Sequence, residues 1–468
     1  MHARPTKPLH PMLFDTPVYF LFLAMAVALY WRLGWRSQNR LLLAVSYFFY
    51  GWWDWRFLLL MALSTVLDYA LANAIAAGSS SRRRRTLLAI SLAMNFGVLG
   101  FFKYCNFFID SFENLLAVLG IRGVSGPVLR ILLPPGISFY TFQEVAYVVD
   151  VYRGKLTPAR SLVDYGLFIS LFPHLIAGPI QRPSHLLPQV ERARKFVARD
   201  FFDGLLLILT GLFRKCVIAD QCALLANAGF SGHLGNNFVS LVIASCAFSL
   251  QIYGDFSGYS DIARGSAKLL GFHFMVNFRQ PYFAASLQDF WRRWHISLSS
   301  WLRDYLYIPL GGNRHGTMRT YLNLMTTMLL GGLWHGANWT FVLWGGLHGA
   351  GLSLERACTR AGLGRIATML TIVVAWIFFR AESVRQAVAM LQGIGHFEWR
   401  GEYAAIFIFL AVVSFVTLLV DARLEHAGEE YPFQSQPALV PALAGLVLLV
   451  SVALLGAVDS HAFIYFQF

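Results

Sequence analysis

Long apolar runs recur along this 468-residue chain and constrain its fold more than any other feature. A helix of about 20 apolar residues crosses the ~30 Å hydrocarbon layer of a bilayer. Only 13% of the residues are charged, about half the ~25% found in soluble domains. We therefore predict an all-α, polytopic integral membrane protein. A membrane β-barrel would instead show short segments of alternating polarity.

The apolar runs predict about 11–13 transmembrane or re-entrant helices. We expect them to form a single domain over residues 1–468. The candidate segments are 17–32, 41–52, 57–76, 86–103, 131–152, 202–222, 237–254, 320–336, 338–356, 366–380, 403–420 and 437–456.

Arginine-rich loops predict the orientation of the first spans. Residues 32–40 and 82–85 are both basic, and basic loops favour the cytoplasmic side. Two short spans must then separate these loops, with a turn at the aromatic segment 51–56 and the N-terminus outside. We expect the basic first segment to precede a retained helix rather than to be a cleaved signal peptide.

Residues 162–180 form an apolar segment with basic stretches on both sides, so we expect it to return to the side it started from. Broken backbone at membrane depth needs surrounding protein or a water-filled cavity. The segment is therefore predicted to be re-entrant. Its interruptions, and one just beyond it, are Pro173, Gly178, Pro179 and Pro183.

The segment from Asp255 to about Arg319 alternates aromatic and charged residues and contains no clean span. Helical spacing puts one apolar set on a common side, which predicts an amphipathic helix at the interface. A cytoplasm-facing layer that lines a cavity is compatible with this. We expect Asp255 and Asp261 to be helix-end or loop carboxylates rather than a catalytic pair. The apolar set is Phe290, Trp294, Leu298 and Trp301.

Two histidines in dense aromatic surroundings are the strongest candidates for a functional role. His295 lies in DFWRRWHISLSSW, and His335 lies in the apolar, glycine-rich LLGGLWHGANW. Ionisable groups inside apolar runs are costly, which favours a function for His335. A neutral imidazole can take a proton from a hydroxyl, and Trp334 and Trp339 are candidates to wall such a site. A core histidine bonded to a carbonyl is the alternative for His335, and a helix anchor at the interface is the alternative for His295.

His348 follows His335 by thirteen residues in a similar glycine-rich setting. On a continuous helix it would lie about 20 Å from His335 along the axis. We therefore predict a packing or cavity-lining role for it.

Other chemistries find little support in the sequence. The five cysteines are scattered, without a CxxC pair, so neither a disulfide framework nor a zinc site is predicted. We see no HExxH pair or GxSxG elbow, and we expect no metal and no bound cofactor. Much of the net charge of +13 lies in short loops between apolar runs, so nucleic-acid binding is not expected.

Several segments resemble the membrane-bound O-acyltransferases, most closely the bacterial branch typified by the alginate O-acetyltransferase membrane subunit. The resemblance covers essentially the whole chain. It is carried by the long His295 and His335 blocks and by residues 134–143, 172–183, 251–265 and 463–468.

The resemblance implies a helical enclosure around a funnel or tunnel and an acetyl transfer from a cytoplasmic thioester, with acetyl-CoA as the donor substrate. The family's invariant histidine maps onto His335 and its second signature position onto His295. More distant relatives often carry asparagine or aspartate at the second position. From charge and position we add, as candidates to contact the donor or substrate, Arg292, Arg293, Arg303, Trp294, Trp334 and Asn338.

The predicted function is O-acetylation of an exported polysaccharide at the bacterial inner membrane, with alginate as the first candidate polymer and cellulose as a rival. The implied partners are a periplasmic protein that accepts or transfers acetyl, a polysaccharide synthase or export complex, and membrane lipid. Peptidoglycan O-acetylation and D-alanyl transfer to teichoic acid are alternatives. An acyl or polymer transporter, or a scaffold subunit, would be a different class of protein.

Overall fold

The computed structural model describes residues 12–121, 131–176, 178–358, 364–457 and 463–464. Within these ranges the regular secondary structure is helical, without strands. The chain divides into two compact units. One comprises residues up to Leu205 together with Ile262–Met275, and the other comprises Leu206–Asp261 and Val276 onward. The single domain predicted over 1–468 stays a prediction.

The first unit contains a long helix with an internal break that the sequence anticipates. Asp54 has an extended backbone within α2 (φ −158°, ψ 108°) and binds Arg56. This agrees with the turn predicted at residues 51–56. The helices of the unit are α1 Pro17–Tyr30, α2 Trp35–Ala77, α3 Ser81–Leu99, α4 Cys105–Val118, α5 Ile137–Tyr152, α6 Leu162–Ser170, α7 Phe172–Leu175 and α8 Pro183–Val190.

The predicted re-entrant segment is broken in the structure. Helix α6 ends at Ser170, and Leu171 leaves the helical conformation before the four-residue α7. Residues 165–176 are buried. The backbone N–H of Phe172 donates to the hydroxyl of Ser46, 3.0 Å away. The surrounding protein thus provides a hydrogen-bond partner for the backbone at this break, which lipid could not do.

The second unit contains the histidines singled out above. It comprises α10 Asp220–Phe230, α12 Leu287–Arg293, α13 Ile296–Leu302, α14 Gly316–His335, α15 Trp339–Ala357, α16 Gly364–Arg380, α17 Val384–Gln392, α18 Glu402–Ala427 and α19 Leu439–Leu455. Helices α9 Ala198–Leu212 and α11 Phe238–Leu269 contribute residues to both units.

The structure corrects the prediction for the segment that starts at Asp255. Helix α11 continues to Leu269, so Asp255 and Asp261 lie inside a helix rather than at a helix end or in a loop. Both carboxylates are buried and ion-paired, to Lys215 (2.9 Å) and Arg214 (2.6 Å) respectively. The predicted amphipathic helix is divided into α12 and α13, and its four apolar residues are buried inside the protein.

Several long apolar helical stretches carry the membrane character of the described residues. Four have the length and composition to cross a bilayer, namely Trp35–Ala77, Ser81–Val118, Phe238–Leu269 and Glu402–Ala427. The stretch Ser81–Val118 consists of α3 and α4 joined by the π-helical turn Gly100–Tyr104. Shorter apolar helices are Pro17–Tyr30 and Leu439–Leu455. The predicted all-α membrane class is confirmed. The predicted count of 11–13 membrane elements and the funnel stay predictions.

Candidate active site

His295 occupies a sharp break between two short helices. Helix α12 ends at Arg293, and His295 has a left-handed backbone (φ 43°, ψ 52°) before α13 begins at Ile296. Non-glycine residues rarely adopt this conformation, and such residues cluster at functional sites. The break turns the imidazole into the protein interior, where the residue is fully buried.

Asn277 holds this break in place, and sequence reasoning missed it. Its carbonyl oxygen accepts the backbone N–H of Ile296 at 2.9 Å. Its side-chain oxygen accepts the Ser297 hydroxyl at 2.7 Å, and its amide donates to the hydroxyl of Ser260 at 3.2 Å. A single asparagine in a loop 18 residues before His295 gives no local signal of this role.

His335 is the last residue of α14 and is 4% exposed. Close packing of α14 against α15 positions it. A Cβ added at Gly345 would lie 2.9 Å from the carbonyl carbon of Met328, and one added at Gly332 would lie 3.3 Å from the backbone nitrogen of Gly345. The glycines therefore permit a close approach of two backbones, as their residue type suggests.

The structure brings the two predicted histidines into one site. Their ring centroids are 6.2 Å apart, with an interplanar angle of 57°. Trp334 contacts both rings, at 5.8 Å from His295 and 5.1 Å from His335. Phe256 packs edge-on against His295 at 4.6 Å. Aromatic side chains thus surround both imidazoles.

The electrostatics of this site favour neutral imidazole at His295. The residue lies outside the helices that could span a membrane, and burial lowers its pKa to about 3. Desolvation penalises the charged ring, so His295 carries no charge near neutral pH. A neutral imidazole has one N–H donor and one acceptor nitrogen, which suits the orientation of a polar substrate.

The predicted separation of His348 from His335 is wrong because the helix is not continuous. The chain leaves the helix at Gly336 and restarts at Trp339, so α15 packs back against α14. The Trp344 ring lies 5.0 Å from His335 and 4.8 Å from His348. His348 therefore shares one aromatic neighbour with His335. The predicted packing role is compatible with these contacts.

A cavity of about 970 Å³ adjoins this aromatic cluster. Its lining includes Trp291, which contacts His348 at 5.1 Å, and Ile296, the residue after His295. It also includes Met328, about two helical turns before His335 on α14. This volume lies at the upper end of the range of small-molecule sites, ~300–1,000 Å³.

Three arginines give the cavity a basic lining, namely Arg292, Arg303 and Arg356. Arg303 is paired with the adjacent Asp304 at 2.7 Å. Arg292 and Arg356 make no hydrogen bond or ion pair with other residues that the structure describes. The lining carboxylate, Glu355, accepts the backbone N–H of Leu287 at 2.7 Å. An anionic group in this cavity would therefore meet two available guanidinium groups.

Comparison with known proteins gives the class of enzyme. The model of the membrane-bound O-acyltransferase family matches residues 159–363, which include both histidines. The chain is 39% identical to a Pseudomonas putida protein named "Probable alginate O-acetylase AlgI", over 98% of this chain and 100% of that protein.

The chain belongs to the membrane-bound O-acyltransferase family. It is an O-acyltransferase, as the sequence predicts. It is 44% identical to the Pseudomonas aeruginosa protein with the same name as the P. putida relative, over 82% of this chain and 75% of that protein. A Helicobacter pylori protein named "Peptidoglycan O-acetyltransferase" is 38% identical over 82% of this chain and 80% of that protein.

The arginines predicted to contact the donor of this acyltransferase lie in two different environments. Arg292 and Arg303 line the cavity, and so does Arg356, which the sequence reasoning missed. Arg293 is not among the described lining residues. Its guanidinium binds Asp289 at 2.9 Å and Glu425 at 2.8 Å.

The tryptophans and the asparagine predicted to contact donor or substrate also lie in different parts of the acyltransferase. Trp334 contacts both histidines, whereas Trp294 stacks on Phe290 at 5.6 Å within the buried core. The side chain of Asn338 caps α15 by accepting the N–H of Thr340 at 3.0 Å. Trp339 is 54% exposed, and its role as a wall of the site stays a prediction.

The described part of the acyltransferase offers little to a metal ion. Among those residues, no three His, Cys, Asp or Glu side chains are grouped to bind one.

Proposed function

We propose that this enzyme moves acetyl groups from a cytoplasmic thioester, acetyl-CoA, across the bacterial inner membrane for O-acetylation of an exported polysaccharide. The observation that carries the proposal is the pair of buried imidazoles 6.2 Å apart, next to a basic cavity. Alginate is the first candidate polymer because the relatives that match most of the chain carry that name. Cellulose is the rival.

In the proposed reaction, His335 removes the proton of an acceptor hydroxyl. The hydroxyl oxygen attacks the thioester carbonyl carbon, the carbon–sulfur bond breaks, and the thiolate takes the proton from His335. In a second path, a nitrogen of His335 attacks the thioester carbonyl carbon and the carbon–sulfur bond breaks to release the thiolate. The acceptor hydroxyl then attacks the acetyl-imidazole, the carbon–nitrogen bond breaks, and the hydroxyl proton goes to the thiolate. His295 is the second catalytic residue, and its neutral ring orients the reacting groups.

The cavity is the proposed donor site. Coenzyme A carries phosphates, and arginine binds phosphate oxygens through paired N–H donors. Arg292 and Arg356 have these donors available, and Arg303 lies nearby on the same lining. In this arrangement the thioester end lies toward His295 and His335, and the cavity opens to the cytoplasm.

The immediate acceptor is a hydroxyl on the polysaccharide or on a periplasmic partner that completes the transfer. A synthase or export complex supplies the polymer. Because the described chain consists of helices joined by loops, we propose that polymer specificity lies largely in these partners.

The decisive experiment measures the acetyl content of the exported polysaccharide in cells that express His335→Ala or His295→Ala. Membrane abundance is measured in parallel. We expect His335→Ala to abolish acetylation at normal abundance. Full acetylation by His335→Ala would refute the proposal and favour a scaffold or transporter.

A second experiment tests the donor site with adjacent arginines on α12. We expect Arg292→Gln to raise the KM for acetyl-CoA by about tenfold, because a charged hydrogen bond contributes ~1.5–3 kcal/mol. Arg293→Gln is the matched control, since Arg293 is bound to two carboxylates. An equal change in KM for both variants would contradict the assignment of the cavity.

Peptidoglycan is the second candidate acceptor. The similarity to the H. pylori protein over 82% of this chain favours it. Analysis of muramic acid O-acetyl groups in the same two strains separates the candidates, because only one polymer should lose its acetyl groups with His335→Ala.

A further inference from the structure

A buried cluster of charges in the second unit surrounds one lysine. Lys215 lies in the π-helical turn Phe213–Ala219 and is 1% exposed. Its ammonium nitrogen is 2.7 Å from Asp220 and 2.9 Å from Asp255. Charges at this depth are very costly unless they are paired. Two buried carboxylates thus lie next to one ammonium, and further hydrogen-bond donors stabilise a carboxylate at this depth.

One such donor lies 209 residues after Asp255 in the chain. The backbone N–H of Ile464 donates to the second oxygen of Asp255 at 2.7 Å, in a buried position. The preceding residue, Phe463, stacks on the ring of Tyr259 at 4.4 Å and 29°. Phe463 and Ile464 are 0% and 1% exposed. This pair of residues, here called the terminal segment, is thus held by a hydrogen bond and an aromatic stack.

The terminal segment lies next to the candidate active site. Phe463 is 5.9 Å from the ring of Phe256, and Phe256 packs on His295 at 4.6 Å. Phe256 directly follows Asp255 on α11, so the anchor and the contact to His295 belong to the same helical turn. Displacement of the segment would remove the packing behind Phe256.

We propose that Asp255, balanced by Lys215, is a positioning residue that holds the terminal segment beside His295, and that acyl transfer requires the segment to be seated. The inference rests on the proposed catalytic role of His335 and His295. A hydrogen bond to a carboxylate is roughly twice as strong as one to a neutral acceptor. Lys215 makes this charge tolerable in the interior.

The test compares Asp255→Leu with Asp255→Asn in the full-length membrane protein. Leucine removes the acceptor, whereas asparagine keeps a carbonyl oxygen at the same place. Hydrogen–deuterium exchange of the peptide that contains Ile464 reports the anchor directly. Polymer acetylation and membrane abundance are measured in the same strains. His335→Ala is included as the catalytic control, since it lies outside the anchor.

We expect Asp255→Leu to speed exchange at the Ile464 amide by about tenfold or more, because a charge-assisted bond is lost. Acetylation should fall by a similar factor at normal abundance, and Asp255→Asn should restore most of both. Protection lost with full acetylation would overturn the inference. So would acetylation lost with protection intact.

The exchange measurement does not depend on catalysis. If His335→Ala keeps full acetylation, the proposed function fails, while the exchange data still decide whether Asp255 anchors the segment. If His335→Ala is inactive and Asp255→Leu changes neither quantity, only the positioning role fails.

Discussion

Replacement of Gly345 by alanine tests the close packing of α14 and α15 that positions His335. The new Cβ would lie 2.9 Å from the carbonyl carbon of Met328 and 3.1 Å from the Cα of Leu329. Both are backbone atoms, so no side-chain rotation relieves the contact. Gly346 is the matched control, because its Cβ would meet only a methyl of Leu329, at 3.7 Å.

The expected magnitude follows from these distances. Carbon atoms in favourable contact lie about 3.5 Å apart, and the carbonyl oxygen of Met328 is nearer to the new Cβ than its carbonyl carbon, so alanine at 345 requires the backbones to separate by at least about 0.6 Å. Overpacking of this kind costs ~1–3 kcal/mol. Both substitutions gain ~0.5–1 kcal/mol of helix stability, which cancels between them. We therefore expect Gly345→Ala to be less stable than Gly346→Ala by about 1–3 kcal/mol.

The activity should fall as well. A misplacement of about 1 Å can lower an enzymatic rate by ~100-fold, so a separation about half as large is expected to reduce acyl transfer by about tenfold. Thermal unfolding in detergent and acetylation per unit of membrane protein measure the two effects. Equal stability and activity of both alanine variants would refute the reasoning.

Three further predictions concern buried polar groups. Because burial lowers the pKa of His295 to about 3, only the unfolded chain takes up a proton as the pH falls below about 6.5. His295→Asn should therefore flatten the acid-side loss of thermal stability, which for one group reaches ~1.4 kcal/mol per pH unit; an unchanged slope would contradict this. Asn277→Ala should cost ~1–3 kcal/mol through unpaired buried partners, measured as a lower Tm with reduced acetylation, and an unchanged Tm would count against its role in the break. Asp261→Asn should cost ~1.5–3 kcal/mol and lower the Tm, because the buried Arg214 loses its partner at 2.6 Å and keeps the more distant carboxylate of Asp421 at 3.7 Å, whereas loss of the exposed pair at Arg56 should leave the Tm almost unchanged.

The fold class could be predicted, and His335 could be chosen as a candidate, because their signals are local, whereas the role proposed for His295 depends on the family resemblance. One continuous apolar run is enough to predict a membrane helix, and His335 is conspicuous because the residues around it are otherwise apolar. The break at residues 51–56 could be predicted from its flanks, because basic loops on both sides require two spans between them.

Features that depend on partners far away in the chain could not be predicted from the sequence. Asp255 and Asp261 looked like loop carboxylates because the lysine and arginine that neutralise them lie about forty residues earlier in the chain. The apolar span therefore seemed to end before them. Ion pairs across helices allow α11 to continue through charged positions, and a window along one segment cannot detect such pairs.

The predicted position of His348 is wrong for a different reason, because two residues in the sequence do indicate a break between the helices. Asn338 is a favoured helix-capping residue, and Gly336 lies two residues before it. Together they mark the end of one helix and the start of the next. A turn at these residues folds α15 back onto α14, which brings His348 toward the site.

The surroundings of the two histidines imply different chemical tasks. An imidazole with a pKa near 3 is a weak base, so His295 is poorly suited to remove a proton from a hydroxyl. Its neutral ring keeps an N–H that can donate to a thioester oxygen. In the proposed mechanism, proton removal is therefore assigned to His335, which is 4% exposed and ends a helix. We therefore expect His295→Asn, which keeps an N–H donor, to retain more activity than His335→Asn, which has no basic nitrogen.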